Sequence, residues 1–338
     1  MLSENLSTSP VTTPRPPRRR RGALRVTGIV AVALTAALLA STTANLAMEG
    51  REKSATAPYG ERVHIAQGSI NVTRSGDSGP AVVFLSGLGT PAPGLDFAPL
   101  LRDLDGFQSV VVEGFGYGYS DPAARPRTVE NITEELHEVI SKLGLTTPYV
   151  LAGHSIAGFY TLHYANTYPK EVSAVIGIDP TVPTVAASDV KEPAASPMPA
   201  GKNFWAHIPS TTGLIRWATD LGYGEPGGNA LTSDERQQMR QLTIWDFGNQ
   251  AVTDETLRMG EMTKLRDMRY PDNIPVLDFL SQETMDQNAN WLGAHERQLA
   301  NVTNHELLVL NGPHYLHWTL AGTMALKIRG FLSQTGIK

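Results

Sequence analysis

Six short apolar runs constrain this 338-residue chain most. They are "AVVFLSG" (81–87), "QSVVVEG" (108–114), "YVLAG" (149–153), "SAVIGID" (173–179), "IPVLDFLS" (274–281) and "HELLVLNG" (305–312). Each is too short for a buried helix and is apolar almost throughout, without the alternation of a strand facing water on one side. Such runs suit strands covered on both faces, as in a parallel sheet. Between them lie segments with helical spacing, such as "VENITEELHEVISKLGL", where Ile132, Leu136, Val139, Ile140 and Leu143 share a face. Alternating strands and helices imply right-handed crossovers and an α/β fold with a mostly parallel central sheet flanked by helices. Ahead of them, "RVHIAQGSINVTRSG" reads as two short strands around Gly68, with "SGDSG" as a turn.

Residues 181 to about 270 interrupt the alternation. A Pro/Ala-rich stretch, Pro183 to Pro199, precedes helical segments such as "LTSDERQQMRQL", which opens with a capping box from Thr232 to Glu235. About 90 residues is too long for a loop. The insertion therefore reads as a mainly helical cap over one sheet edge, and residues 61–338 as one domain carrying it.

The N-terminus is a separate unit. Residues 1–25 carry six arginines and one glutamate and read as a disordered basic tail; Val26–Met48 carries no charge. A helix over this stretch is long enough for the ~30 Å hydrocarbon core. The arginines before it favour a cytoplasmic N-terminus. The stretch is either a signal peptide, with Thr42 and Ala44 small enough for cleavage after Ala44, or an uncleaved signal anchor, which its length favours. Either way the main domain is expected beyond the cytoplasmic membrane, anchored or secreted, with 49–60 as a linker. The remaining 49–338 hold 22 basic and 32 acidic residues, a net of −10, which argues against a nucleic-acid partner. The absence of cysteine removes disulfides, thiolate nucleophiles and Cys-ligated zinc.

Ligands of open parallel sheets bind at the C-terminal strand ends. Ser155, Asp179, Glu283 and His314 each follow such an end. A serine hydroxyl needs a histidine to take its proton and a carboxylate to fix that imidazole's tautomer. Ser155, His314 and one carboxylate supply these parts. The turn at Ser155 joins a strand to the helix packed on it, so Gly153 and Ala157 must be small. Backbone N–H donors for an oxyanion are expected from Ile156, directly after the serine, and from Leu88 in the Gly-rich loop after "VVFLSGLGT".

Together these segments resemble the α/β-hydrolase superfamily. "FLSGLGT" is similar to its oxyanion loop, "GFGYGYSD" to its G-x-G-x-S-D turn, "GHSIAG" to its nucleophile elbow with Ala157 in place of the last glycine, and "NGPHYLHWT" to its final histidine loop. The resemblance implies an exported serine hydrolase, first a carboxylesterase of a small or medium apolar ester, without cofactor or metal. It argues against the dehalogenases and epoxide hydrolases of this fold, which carry Asp where this chain has Ser155. The alternatives are amide, peptide or C–C hydrolysis or cofactor-free peroxidation on the same residues, and a non-catalytic small-molecule-binding protein. Two acids stay open. In many members the acid follows the seventh strand, but Thr284 stands at that position, with Glu283 beside it and Asp286 beyond. "GIDPTVP" is instead similar to the G-L-D-P of pancreatic-type lipases, where the aspartate is the triad acid, which points to Asp179. His317 is expected in the first turn of the last helix rather than on a metal, and His154 packed on the sheet. Phe204, Trp205, Trp217, Trp245 and Phe247 are candidates either for lining an apolar pocket or for the core of the cap.

Overall fold

The computed structural model describes residues 19–122, 125–183 and 204–337. Eight strands form one sheet: β1 (Glu61–Ile65), β2 (Gly68–Ser75), β3 (Ala81–Leu85), β4 (Gln108–Glu113), β5 (Tyr149–His154), β6 (Val172–Ile178), β7 (Val276–Ser281) and β8 (His305–Leu310). Their order is β1-β2-β4-β3-β5-β6-β7-β8. The hairpin β1–β2 and its pairing to β4 are antiparallel, and β4 through β8 are parallel.

Burial on both faces explains the continuous apolar runs of β3 to β7, whereas β8, at the sheet edge, is only partly buried, with Val309 42% exposed. In β3, Val83 and Leu85 pack with Leu136, Val139 and Leu162 from helices Val129–Leu143 and Ala157–Thr167. The alternate residues Val82 and Phe84 pack the other way, with Leu100, Met324 and Ile328 from helices Ala98–Asp103 and Ala321–Gln334. The period-two alternation survives, but both faces are core. Local signals set the helix limits. Thr128 caps Val129–Leu143 by accepting the Asn131 N–H, and Gly144 closes it at φ 64°.

The cap between β6 and β7 contains helices Leu214–Asp220, Ser233–Asp246 and Gln250–Arg258; the stretch 184–203 lies outside the described residues. The expected capping box is present, with Thr232 and Glu235 each bonding the other's backbone. Leu231, Met239, Leu242, Ile244 and Trp245 form the cap's own core.

The linker expected at 49–60 is largely helix. One helix runs Arg19–Ala55, taking in residues 19–25 of the basic tail as well. Within "EGREKSA", Arg51 and Lys53 are exposed but Glu52 is not a solvated spacer charge. Glu52 pairs with Arg216 of the cap at 2.5 and 2.9 Å, and the Trp245 indole donates to it at 3.1 Å. The chain after the helix is also tied down. Tyr59 donates to Glu113 at 2.5 Å, and Glu113 accepts from Asn71, Gly94 and Tyr119 as well. Burial pushes the Glu113 carboxyl above its ordinary range.

Candidate active site

Parallel strands bring the ends of β3, β5, β6, β7 and β8 to one edge. β5 and β6 pair up to His154↔Ile178, so Ser155 and Asp179 leave adjacent strands at the same level. Both have positive φ, 55° for Ser155 and 44° for Asp179. A non-glycine residue there costs roughly 1–2 kcal/mol, so neighbouring structure must hold it. Ser155 N–H donates to Ile178 O at 3.1 Å, and Ser155 O accepts from Thr181 N–H at 2.7 Å and Gly158 N–H at 3.0 Å.

The crowding around this turn explains the glycines. A Cβ on Gly153 would lie 2.9 Å from Thr161 Cγ2 and 3.0 Å from Ala157 O. One on Gly158 would lie 2.4 Å from Thr181 O. Ala157 is fully buried and its methyl is accommodated. The stringent position downstream of the serine is therefore 158, where Pro180–Thr181 cross the helix start.

Asp179 is completely buried. Its Oδ2 meets His314 Nδ1 at 2.5 Å and accepts from the Thr284 hydroxyl. Its Oδ1 accepts from Ser281 N–H at 3.0 Å and from the Trp291 indole at 2.9 Å. Glu283 has a different place. Its Oε2 accepts the backbone N–H of His314 at 2.9 Å, holding the loop rather than the ring. Ser281 Oγ donates to Gly312 O at 2.8 Å and ties the same loop to β7. The position where many relatives would carry the acid thus holds Thr284, whose hydroxyl orients Asp179. Thr284 and Trp291 were missed as site residues. The displaced acid pattern at 281–284 was the one available signal for the first, and none marked the second.

Behind His314 lies a buried group of aromatic rings. His154 Nε2 is 3.2 Å from His314 O, and the two rings are 4.7 Å apart. A carbonyl can only accept, so Nε2 carries the proton. Burial, reinforced by His317 and His314, pushes the His154 pKa well below its ordinary value and keeps the ring neutral. Its Nδ1 is buried without a partner among the described residues. His317 lies in the one-turn helix Leu316–Thr319, not in the last helix as expected. It pairs with Asp96 at 2.9 Å, and the Trp318 indole donates to the other Asp96 oxygen at 2.8 Å. Asp96, His154 and His317 bring potential ligand atoms within 4.8 Å of one another. His314 and His317 thus belong to different carboxylates.

The Gly-rich loop passes directly over the serine. A Cβ on Gly87 would lie 3.1 Å from Ser155 Cβ and 2.9 Å from His154 Nδ1. The amide N–H groups of Leu88 and Ile156 have no protein acceptor among the described residues. Beyond the loop are two cavities. One of about 410 Å³ lies between Gly89–Pro91 and the cap residues Leu242, Phe247, Val252 and Leu257. Asp246 is in its wall, its carboxyl raised to about 6 by burial. A second of about 240 Å³ shares Gly89–Pro91 and Phe247 and reaches Thr219, Tyr223, Tyr315 and Trp318. Of the cap aromatics, Phe247 lines both cavities and Trp245 is core, whereas Trp205 and Trp217 are exposed; the Phe204 side chain lies outside the description.

Residues 80–210 match the family model described as the alpha/beta hydrolase fold. The Bacillus subtilis protein YbdG is 26% identical over 73% of this chain and 78% of its own length. A thermophilic esterase from Thermogutta terrifontis superposes with a TM-score of 0.59 at 18% identity, over 81% of this chain and 99% of its own. A Pseudomonas aeruginosa protein provisionally named an epoxide hydrolase superposes at 0.62 with 16% identity, over 82% of this chain and 95% of its own.

Proposed function

We propose that this member of the α/β-hydrolase superfamily is a membrane-anchored serine hydrolase of apolar carboxylic esters. Ser155 Oγ attacks the ester carbonyl while His314 Nε2 takes its proton. Asp179, on Nδ1, keeps the ring in the tautomer that can accept that proton and stabilises the imidazolium that forms. The amides of Leu88 and Ile156 donate to the carbonyl oxygen as it becomes negative. His314 returns the proton to the leaving alcohol, which departs and leaves an acyl group on Ser155. Water, deprotonated by the same histidine, then releases the acid.

The observation that carries this reading is the 2.5 Å contact of His314 Nδ1 with a buried carboxylate that leaves the strand beside Ser155. The serine itself is held at φ 55°, with the amides of Leu88 in the loop and of Ile156 beside it lacking an acceptor among the described residues. The mostly apolar 410 Å³ cavity next to that loop favours an aliphatic or aromatic acyl group over a charged one. The helix Arg19–Ala55 has an apolar part of mean hydropathy 1.9, as a signal or an anchor would, and the bonds of Ser41 to Thr212 and Trp217 of the cap favour an anchor kept uncleaved, with the hydrolase domain on the extracytoplasmic side. A fluorophosphonate probe tests the chemistry. It should label the native protein and fail to label Ser155→Ala. An unlabelled native protein that is folded and hydrolyses no ester would end the enzyme reading.

A further inference from the structure

The N-terminal helix has two halves with different surroundings. Ile29, Val32, Leu34 and Leu39 are 64–71% exposed. From Ser41 onward the helix is docked on the cap. Ser41 Oγ donates to Thr212 O at 2.8 Å and accepts from the Trp217 indole at 3.1 Å. Asn45, 2% exposed, donates to Ser210 O at 3.1 Å and accepts from Arg216 Nε at 2.9 Å. The approach is close enough that a Cβ on Gly213 would lie 3.0 Å from Asn45 Cβ.

Length then fixes depth. Arg25 is the last charge before the apolar stretch. Val26–Ala40 rises only ~22 Å as a helix, against a hydrocarbon core of ~30 Å. About five more residues, reaching Asn45, must lie within the outer leaflet, and any tilt requires more. Those are the residues bonded to the cap, so Thr212, Gly213 and Trp217 are carried to the depth of the outer leaflet. The helix Leu214–Asp220 meets this condition. Arg216 and Thr219 are buried on its inner side, while Leu214, Trp217 and, just past its end, Leu221 are 51%, 60% and 78% exposed. Their spacing of three and seven places them in one stripe. Trp and Leu are the residues expected where a surface enters the headgroup–acyl boundary. The charges nearest the stripe are paired, the buried Arg216 with Glu52 and the exposed Asp220, beside Leu221, with Arg240.

We infer that the stripe Leu214–Trp217–Leu221 lies in the outer leaflet of the membrane that the N-terminal helix spans, so that the cap opens toward the bilayer and the enzyme takes lipophilic esters dissolved in it. This rests on the proposed anchor and deepens the substrate class. Thr219, on the same cap helix, and Tyr223, just beyond it, line the 240 Å³ cavity that leads to Tyr315 beside His314. An ester leaving the leaflet along this helix enters the cavity whose far wall is Tyr315, the residue after His314.

The chain contains no cysteine, so single labels need no background removal. The full-length protein is reconstituted in phosphatidylcholine vesicles with an environment-sensitive fluorophore on Leu221→Cys or, as control, on Asp77→Cys in the turn at the opposite sheet edge. Lipid-tethered nitroxide should quench the first label at least threefold more than the second. The double variant Trp217→Ser/Leu221→Ser should lose at least tenfold in kcat/KM on a long-chain ester held in vesicles, and less than twofold on a soluble short-chain ester. Equal quenching at both sites, in protein that resists carbonate extraction, overturns the inference and leaves the anchor standing. Recovery of a soluble chain lacking residues 1–44 removes the anchor, and the inference with it.

Discussion

Asp179→Asn is the substitution whose effect the structure defines most closely. The Oδ1 side of Asp179 receives two obligate donors, Ser281 N–H and the Trp291 indole. An asparagine must place its carbonyl oxygen there, since the reverse orientation would set its NH₂ against both N–H groups and leave buried donors unpaired at about 1–3 kcal/mol each. The NH₂ then stands where Oδ2 was, facing His314 Nδ1. An amide there can only donate, so Nδ1 becomes the acceptor and the ring proton moves to Nε2. The nitrogen that should accept the serine proton is then already protonated. On the proposed chemistry, the same exchange in Ser-His-Asp hydrolases, which costs about 10⁴ in kcat, or roughly 5.5 kcal/mol of barrier, sets the expected loss. Glu283→Gln keeps an acceptor for the His314 backbone N–H and should stay within about threefold, since an exposed bond loses its charge but is still made. Both variants are to be compared with native protein by p-nitrophenyl ester turnover and by the rate of fluorophosphonate labelling, with circular dichroism to verify folding. A folded Asp179→Asn that keeps more than a tenth of the native kcat, or a larger loss in Glu283→Gln, would refute the tautomer reasoning.

Two stability predictions follow from buried charge. Asp278 in β7 is fully buried, its Oδ2 has no partner among the described residues, and burial raises its pKa from 3.8 to about 6. The folded state therefore binds this proton more tightly than the unfolded chain, and the group costs stability above pH 6, with relief as the pH falls toward 4. A shift of two units corresponds to about 3 kcal/mol, so Asp278→Asn should raise Tm by several degrees at pH 8 and leave it unchanged at pH 4. Arg216→Ala leaves Glu52 and Asn45 without their shared donor and should cost about 2–3 kcal/mol. By letting the docked helix fray, it should speed tryptic cleavage after Arg51 and Lys53 at least tenfold over native protein. Since Arg216 holds the Glu52 carboxyl below its ordinary range, the stability difference between native and variant, read by Tm, should shrink as the pH falls through that lowered value.

The centre of the sheet was legible because burial on both faces leaves a mark along β3 to β7: Val82 and Val83, neighbours facing opposite ways, are both core. The shared edge of Ser155, Asp179 and His314 follows from parallel pairing alone. The choice between Asp179 and Glu283 did not. Both follow strand ends within reach of the histidine loop, and which one meets the ring depends on whether His314 offers its side chain or its N–H to β7. The linker was misread for a related reason. Glu52 and Arg216 lie 164 residues apart, and a charge looks solvated until its partner is known. The Trp291 donor illustrates the same limit, since helical spacing says that its face is inward without saying toward what.

The bonds around Ser155 have a mechanical consequence. Its N–H is fastened to Ile178 and its carbonyl to Thr181, the residues that bracket Asp179. Serine and aspartate are therefore mounted on one rigid block of backbone, each holding the other's unfavourable φ in place. Histidine belongs to a different part, a loop secured by Ser281, Glu283 and the His154 ring. On the proposed chemistry this is an assembly of two bodies rather than three. Its alignment has a single joint, and the residues that grip the histidine loop set its play.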